Sequence, residues 1–151
     1  MKPLKKFGDF LLEETVLKQM PNKARAMSLM KDSEKEHKFL MDIIGALGVK
    51  DEGANTIVKE VYDVVMLLIR GIMLADGFNS SGSFSHEAEV SYLKNLGFSE
   101  NDIDFANRLR WFRNGIVYYG EGITADYALK ALNFMKDKRL KLLEILQKRM
   151  K

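Results

Sequence analysis

The stretch VYDVVMLLIRGIML, Val61 to Leu74, is apolar on nearly every side of a helical wheel, broken only by Asp63 and Arg70. A helix with one apolar stripe lies on a surface, whereas one that is apolar all round is enclosed by other helices. Its most apolar part, VVMLLIRGIMLA, is about half the ~20 residues that a membrane span needs and contains Arg70, which fits a buried core helix better. The spacing therefore predicts a third helix, about Asn55 to Asp76, at the centre of a bundle.

Helical periodicity dominates on both sides of this centre, and strand-like alternation is nearly absent. Leu4, Phe7, Leu11, Leu12 and Val16 predict a first helix from about Leu4 to Met20, ending before Pro21. Asn22 is placed to cap a second, Lys23 to about Leu47, in which DSEKEHK reads as a solvated face. GFNSSGSFS, residues 77–85, reads as an exposed mobile loop, with Ser85 capping a short helix to about Leu96. Ser99 and Asp102 form an S-x-x-D start for the helix that runs into RNGIVYYG (113–120), and Thr124 starts a long last helix. Only two prolines interrupt the chain, connections are short, and no repeat or domain boundary stands out.

At 151 residues and 46% hydrophobic content the chain can bury a core as one domain. With no cysteine, a disulfide framework, a Cys-ligated zinc and a thiol nucleophile are excluded, and a reducing cytoplasm is the expected location. The lysines near the start resemble a signal peptide, but Asp9, Glu13 and Glu14 interleave its apolar residues, so the segment reads as a mature helix. Nothing in the sequence points to a membrane. The net charge of +3 permits a polyanionic partner without requiring one. Its distribution is uneven: Arg108, Arg110 and Arg113 cluster, and Lys136 to Lys151 is basic, either for a partner or to complement its own helix dipole.

The candidate site lies in NRLRWFRNGIVYYG, residues 107–120. Phe105, Leu109, Phe112, Ile116 and Tyr119 recur at four and three residues, a core stripe. Arg110 and Arg113 lie off it as neighbours on the helix surface. Two adjacent guanidinium groups repel, so they either share an anion such as phosphate or each find a carboxylate of the domain itself. Asp63 and Arg70, seven residues apart on one side of the central helix, are candidates to line a facing cleft or a subunit interface, and Glu60 or Asp63 could pair with Arg110 or Arg113. Trp111, Tyr118 and Tyr119 are placed either for packing or for stacking on bases. Arg113 and Tyr118 are about 140° apart on an ideal helix, so they meet on one ligand only if the helix loosens near Gly115 and Gly120 or across a dimer. Of the two histidines, His86 at a helix start after the Ser-rich loop is the better one to reach the motif helix; His37 sits in the charged DSEKEHK run. Neither belongs to a metal-ligand pattern, and no metal or cofactor is expected.

Arg113-Asn114 near the end of a helix, preceded by LRWF and followed by a long last helix, resembles the motif of the HEPN superfamily, the higher eukaryote and prokaryote nucleotide-binding domains. That motif is an Arg, commonly followed by Asn or another polar residue, with a His four to six positions on. SGSFSHEAEVSYLKNLGFSE also resembles the loop and short helix before it, so the likeness covers roughly residues 23–150. It implies an all-α, single-domain HEPN-like bundle of about six helices over residues 1–151, with 1–20 as an accessory helix and 22–151 as the bundle. It further implies a homodimer whose two motifs face one cleft, and in some members a small nucleotidyltransferase-like partner.

In HEPN ribonucleases, as the resemblance implies, the His moves a proton and the Arg holds the phosphate, without metal. Here the position of that His is Tyr118. A phenol with an ordinary pKa near 10 is a poor base at neutral pH, whereas imidazole near 6.5 suits the task. The expectation is thus a protein binding RNA or nucleotide phosphates through Arg113, with Arg110 and Asn114 in support and with catalysis weak or absent. The alternatives are a metal-independent, toxin-type endoribonuclease using Tyr118 or His86, and a structural or protein-interaction bundle.

Overall fold

The computed structural model describes residues 3–119 and 122–151, with the side chains of 116–119 left undescribed. The chain order is α1 (Phe7–Leu12), β1 (Val16–Lys18), α2 (Lys23–Leu47), α3 (Asp51–Asp76), β2 (Phe78–Ser80), α4 (Ser85–Asn95), α5 (Glu100–Tyr119) and α6 (Ala125–Arg149). The architecture is a mostly all-α bundle of six helices, with one two-stranded ribbon among the described residues.

The apolar wheel of α3 finds the enclosure it requires. Helices α2 and α6 pack along it, and α4 and α5 cover the remaining sides. Val61, Val64, Leu68, Ile69 and Ile72 are each fully buried. Each contributes roughly 1.5–3 kcal/mol relative to exposure, so this helix is the main source of core stabilisation. At Gly71 a Cβ would meet Leu146 Cδ2 at 3.2 Å, which shows how closely α6 approaches. Among the described residues no helix is long and apolar enough to cross a membrane.

Polar residues fix the helix starts. Asn22 Oδ1 accepts from Arg25 N at 3.1 Å, Ser99 Oγ from Asp102 N at 3.2 Å and Thr124 Oγ1 from Tyr127 N at 3.5 Å, satisfying donors that a first helical turn leaves open. Helix α3 starts at Asp51, about one turn earlier than its apolar pattern indicates, with Asp51 and Glu52 favoured there by the helix dipole. Asp51 and Asn55 also accept from the backbone N–H groups of Ala125 and Ile123 at 2.7 and 2.8 Å. The start of α3 thereby anchors the chain entering α6.

The predicted first helix, Leu4 to Met20, is corrected: only Phe7–Leu12 is helical. Glu14 takes a left-handed φ of 60°, which turns the chain out of the helix, and Val16–Lys18 becomes β1. Val16 pairs with Ser80 and Lys18 with Phe78, so the beginning of the Ser-rich segment is β2 and not loop. Phe7 and Phe10 still bury their rings, with Phe7 packing on Phe78 and Tyr92. Gly77 joins α3 to β2 at φ 89°, and a Cβ there would lie 2.7 Å from the Gln19 carbonyl oxygen. Glycine is therefore required at that junction.

Two further readings change. Ser85 is the first residue of α4 with Phe84 at the cap position, and no side chain caps that helix. The DSEKEHK run is not wholly solvated: Ser33 is buried and donates to the Val64 carbonyl at 2.7 Å, and Glu36 and His37 are half-buried. In the α5 stripe Leu109 is buried, while Phe105 and Phe112 are half-buried against Tyr127. Ile116 and Tyr119 belong to the undescribed side chains.

Candidate functional site

The charges that interrupt α3 meet residues from α2, α4 and α5 beside the middle of that helix. Asp63, Arg70 and His86, with Glu36, Met66 and Leu67, line a cavity of about 250 Å³. Arg113 on α5 reaches over to Asp63, Nε to Oδ1 at 3.3 Å, with both side chains about one-third exposed. Its guanidinium also lies 5.9 Å from the centre of the buried Tyr62 ring. The Tyr62 hydroxyl and His86 Nδ1 are hydrogen-bonded at 3.0 Å, so Tyr62 contacts both the arginine and the histidine.

The other arginines are more firmly engaged. Arg70 forks onto Glu89, Nε to Oε2 at 2.5 Å and Nη2 to Oε1 at 3.2 Å, and Glu89 is fully buried. Paired Nε and Nη2 contacts are the geometry in which arginine binds a carboxylate most strongly. Arg110 donates from Nε to Asn107 Oδ1 at 2.9 Å, and its Nη1 stands 3.5 Å from Glu87 Oε1. Arg113 is held by Nε alone, and among the described residues its terminal nitrogens have no hydrogen-bond partner.

Glu36, Glu60 and Asp63 bring carboxylate oxygens within 4.8 Å of one another. Burial, followed by the charge of Asp63, holds the Glu36 and Glu60 carboxyls above their ordinary range, and Arg113 partly offsets this for Glu60. One Glu36 oxygen is shut off from water without a partner among the described residues. Three hard oxygen donors of this kind are the set that would suit magnesium or calcium. Burial also pushes the Tyr62 phenol up, and pushes His86 below its ordinary value, with Arg70 and Arg113 adding to the fall and Glu89 opposing it. The surroundings of His86 accordingly favour its neutral form.

Of the residues singled out from sequence, Arg113, Glu60, Asp63, Arg70 and His86 gather around this cavity. Arg110 sits on the neighbouring turn of α5 and Asn114 is exposed beside it. The Tyr118 and Tyr119 side chains, including the proposed proton carrier, lie outside what is described. Trp111 keeps 45% of its surface exposed while its ring rests edge-on against Phe112. Sequence reasoning missed Glu36, Tyr62, Glu87 and Glu89. Glu89 carried only a faint signal, its place between Ala88 and Val90 in a short helix, and its burial follows from packing. The chain matches no protein-family model and no curated protein.

Proposed function

We propose that this chain is a HEPN-like protein that holds RNA or nucleotide phosphates through Arg113, with Arg110 and Asn114 in support and catalysis weak or absent. The observation that carries the reading is the one-sided anchoring of Arg113. Asp63 fixes its Nε, and Tyr62 supports the guanidinium face, while the exposed third of the side chain keeps donors for an anion. Arg110, only 15% exposed and already paired, contributes charge and not direct contact. The half-exposed Trp111 on the same helix is available for base stacking.

Glu36, Glu60 and Asp63 oppose a phosphate. Binding on this reading is modest at neutral pH and strengthens on acidification, as the two raised carboxyls take up protons. On this reading the protein works as a homodimer in the reducing cytoplasm expected of a chain without cysteine, with a small nucleotidyltransferase-like protein as the partner to search for.

A second reading is favoured by the same ion pairs. Arg113–Asp63 and Arg110–Glu87 tie α5 to α3 and α4 within one protomer, as an interaction bundle with internally satisfied charges would. The deciding experiment incubates labelled single-stranded RNA with the protein and excess EDTA, beside Arg113→Ala. Binding that falls with Arg113→Ala and with rising salt supports the proposal. Cleavage under chelator that is lost in His86→Ala makes the protein a ribonuclease with His86 as the proton carrier. Unchanged RNA behaviour with lowered stability in Arg113→Ala supports the ion-pair reading.

A further inference from the structure

A second cavity lies away from the arginine site. Helices α2 and α6 both pack along α3 but touch each other little, which leaves a groove between them of about 370 Å³. That falls within the roughly 300–1,000 Å³ typical of small-ligand clefts. Its walls are apolar: Met41 and Ile44 from α2, and Leu129, Leu132 and Met135 from α6. Leu129 and Leu140 remain 47% and 63% exposed, although their helix has buried neighbours available one turn away.

The charged residues of the groove, Lys136 and Arg139, are both positive. His37, Lys136 and Arg139 line it together with Asn133, and no carboxylate does so among the described residues. Arg139 is the informative one. Among the described residues its guanidinium makes no hydrogen bond and no ion pair; Nε is closed off from water, so the terminal nitrogens are the donors that an anion in the groove can reach. A buried donor left unmade is costly, and a guanidinium is best satisfied by a carboxylate or phosphate oxygen. An apolar trough beside an unsatisfied guanidinium is complementary to an amphipathic anion.

We infer that the α2–α6 groove binds an aliphatic carboxylate, its head on Arg139 and its chain along Met41, Ile44, Leu129 and Leu132. Charge complementarity selects this occupant over a neutral apolar one. The inference is independent of the phosphate reading, since none of these residues belongs to the Arg113 cleft.

The test titrates the full chain with octanoate, decanoate and octan-1-ol, following calorimetry and the amide NMR signals of α2 and α6. Saturable one-to-one binding is expected, with decanoate about fifteenfold tighter than octanoate for its two extra methylenes. Octanoate should exceed octan-1-ol by about fivefold or more, the scale of a charge-assisted contact. Arg139→Gln should erase that preference. Leu129→Asp, at an exposed position that leaves the fold intact, should weaken decanoate about tenfold or more by placing a negative charge in the trough. No saturable change up to about 1 mM decanoate would overturn the inference, being weaker than any selective site requires. So would a preference for octanoate over octan-1-ol that survives undiminished in Arg139→Gln, or self-association through this face that Leu140→Asp abolishes while octanoate has no effect.

Discussion

Arg113 Nε stands 3.3 Å from Asp63 Oδ1, joining the last turns of α5 to the middle of α3 across a sequence separation of 50 residues. The contact is single and long compared with the forked Arg70–Glu89 pair in the same region. Asp63 therefore orients the arginine without fully neutralising its donor capacity. The carboxylate that positions Arg113 is also one that an incoming phosphate must overcome.

The Arg70–Glu89 pair should dominate local stability. Glu89→Ala leaves a half-buried guanidinium uncompensated and should cost about 2–3 kcal/mol, lowering Tm by roughly 4–12 °C. Replacing both partners, as in Arg70→Met with Glu89→Leu, should recover most of that loss. Thermal melts of the two single variants and the double variant measure the coupling; additive losses would show that the pair does not act as a unit.

Glu36→Gln should stabilise the protein at neutral pH. The folded carboxyl lies above its ordinary 4.5, so the native chain bears a charge there at a cost that an amide removes. After allowance for solvent screening at a half-open site the gain is about 0.5 kcal/mol, or roughly 1–2 °C in Tm. The gain should fade as pH falls through the folded value and vanish below 4.5, where Glu36 is protonated in both states. Melts of the variant and the wild type between pH 4 and 8 check the sign.

His86 should make the protein less stable in mild acid. Its folded value lies below the ordinary 6.5, so the unfolded chain takes up the proton first as pH falls. The stability from neutral His86 is complete above 6.5 and is lost as pH falls through that value toward the folded one. His37 contributes with the same sign, and Glu36 and Glu60 with the opposite one. The Tm difference between His86→Gln and wild type should accordingly move in favour of the variant from pH 8 to pH 5; a constant difference would refute the assignment.

Gly77→Ala should be among the most damaging small substitutions. Its φ of 89° strains any residue with a Cβ, and that carbon would press on the Gln19 carbonyl oxygen. A loss of about 2–3 kcal/mol is expected by denaturant titration. Gly48, also at positive φ but with open space around it, should cost less on the same change.

The fold was legible where periodicity and capping coincide. The α2 bounds, the all-round apolar α3 and the caps at Asn22, Ser99 and Thr124 follow from local patterns that packing reinforces. The ribbon was not legible, because three-residue strands offer too little alternation and the Leu4 to Val16 spacing imitates a helix. What breaks that helix is long-range: Val16 pairs with Ser80, and Glu14 adopts a left-handed turn to permit it. The site divides in the same way. A pairing of Arg113 with Asp63 could be anticipated, since Asp63 breaks the apolar face of α3 and carries the charge opposite to Arg113. The partners of Arg70 and Arg110 on α4, and the approach of Glu36 from α2, depend on helix packing that one-dimensional spacing does not encode.

The most direct test is the affinity of Asp63→Asn for labelled single-stranded RNA in chelator, read by fluorescence anisotropy beside the wild type. If Arg113 serves a phosphate, removing the competing carboxylate charge should tighten binding by about fivefold, the equivalent of one partly screened ion pair. Unchanged or weaker binding together with a lowered Tm would contradict the account and assign the Arg113–Asp63 pair to holding α5 on α3.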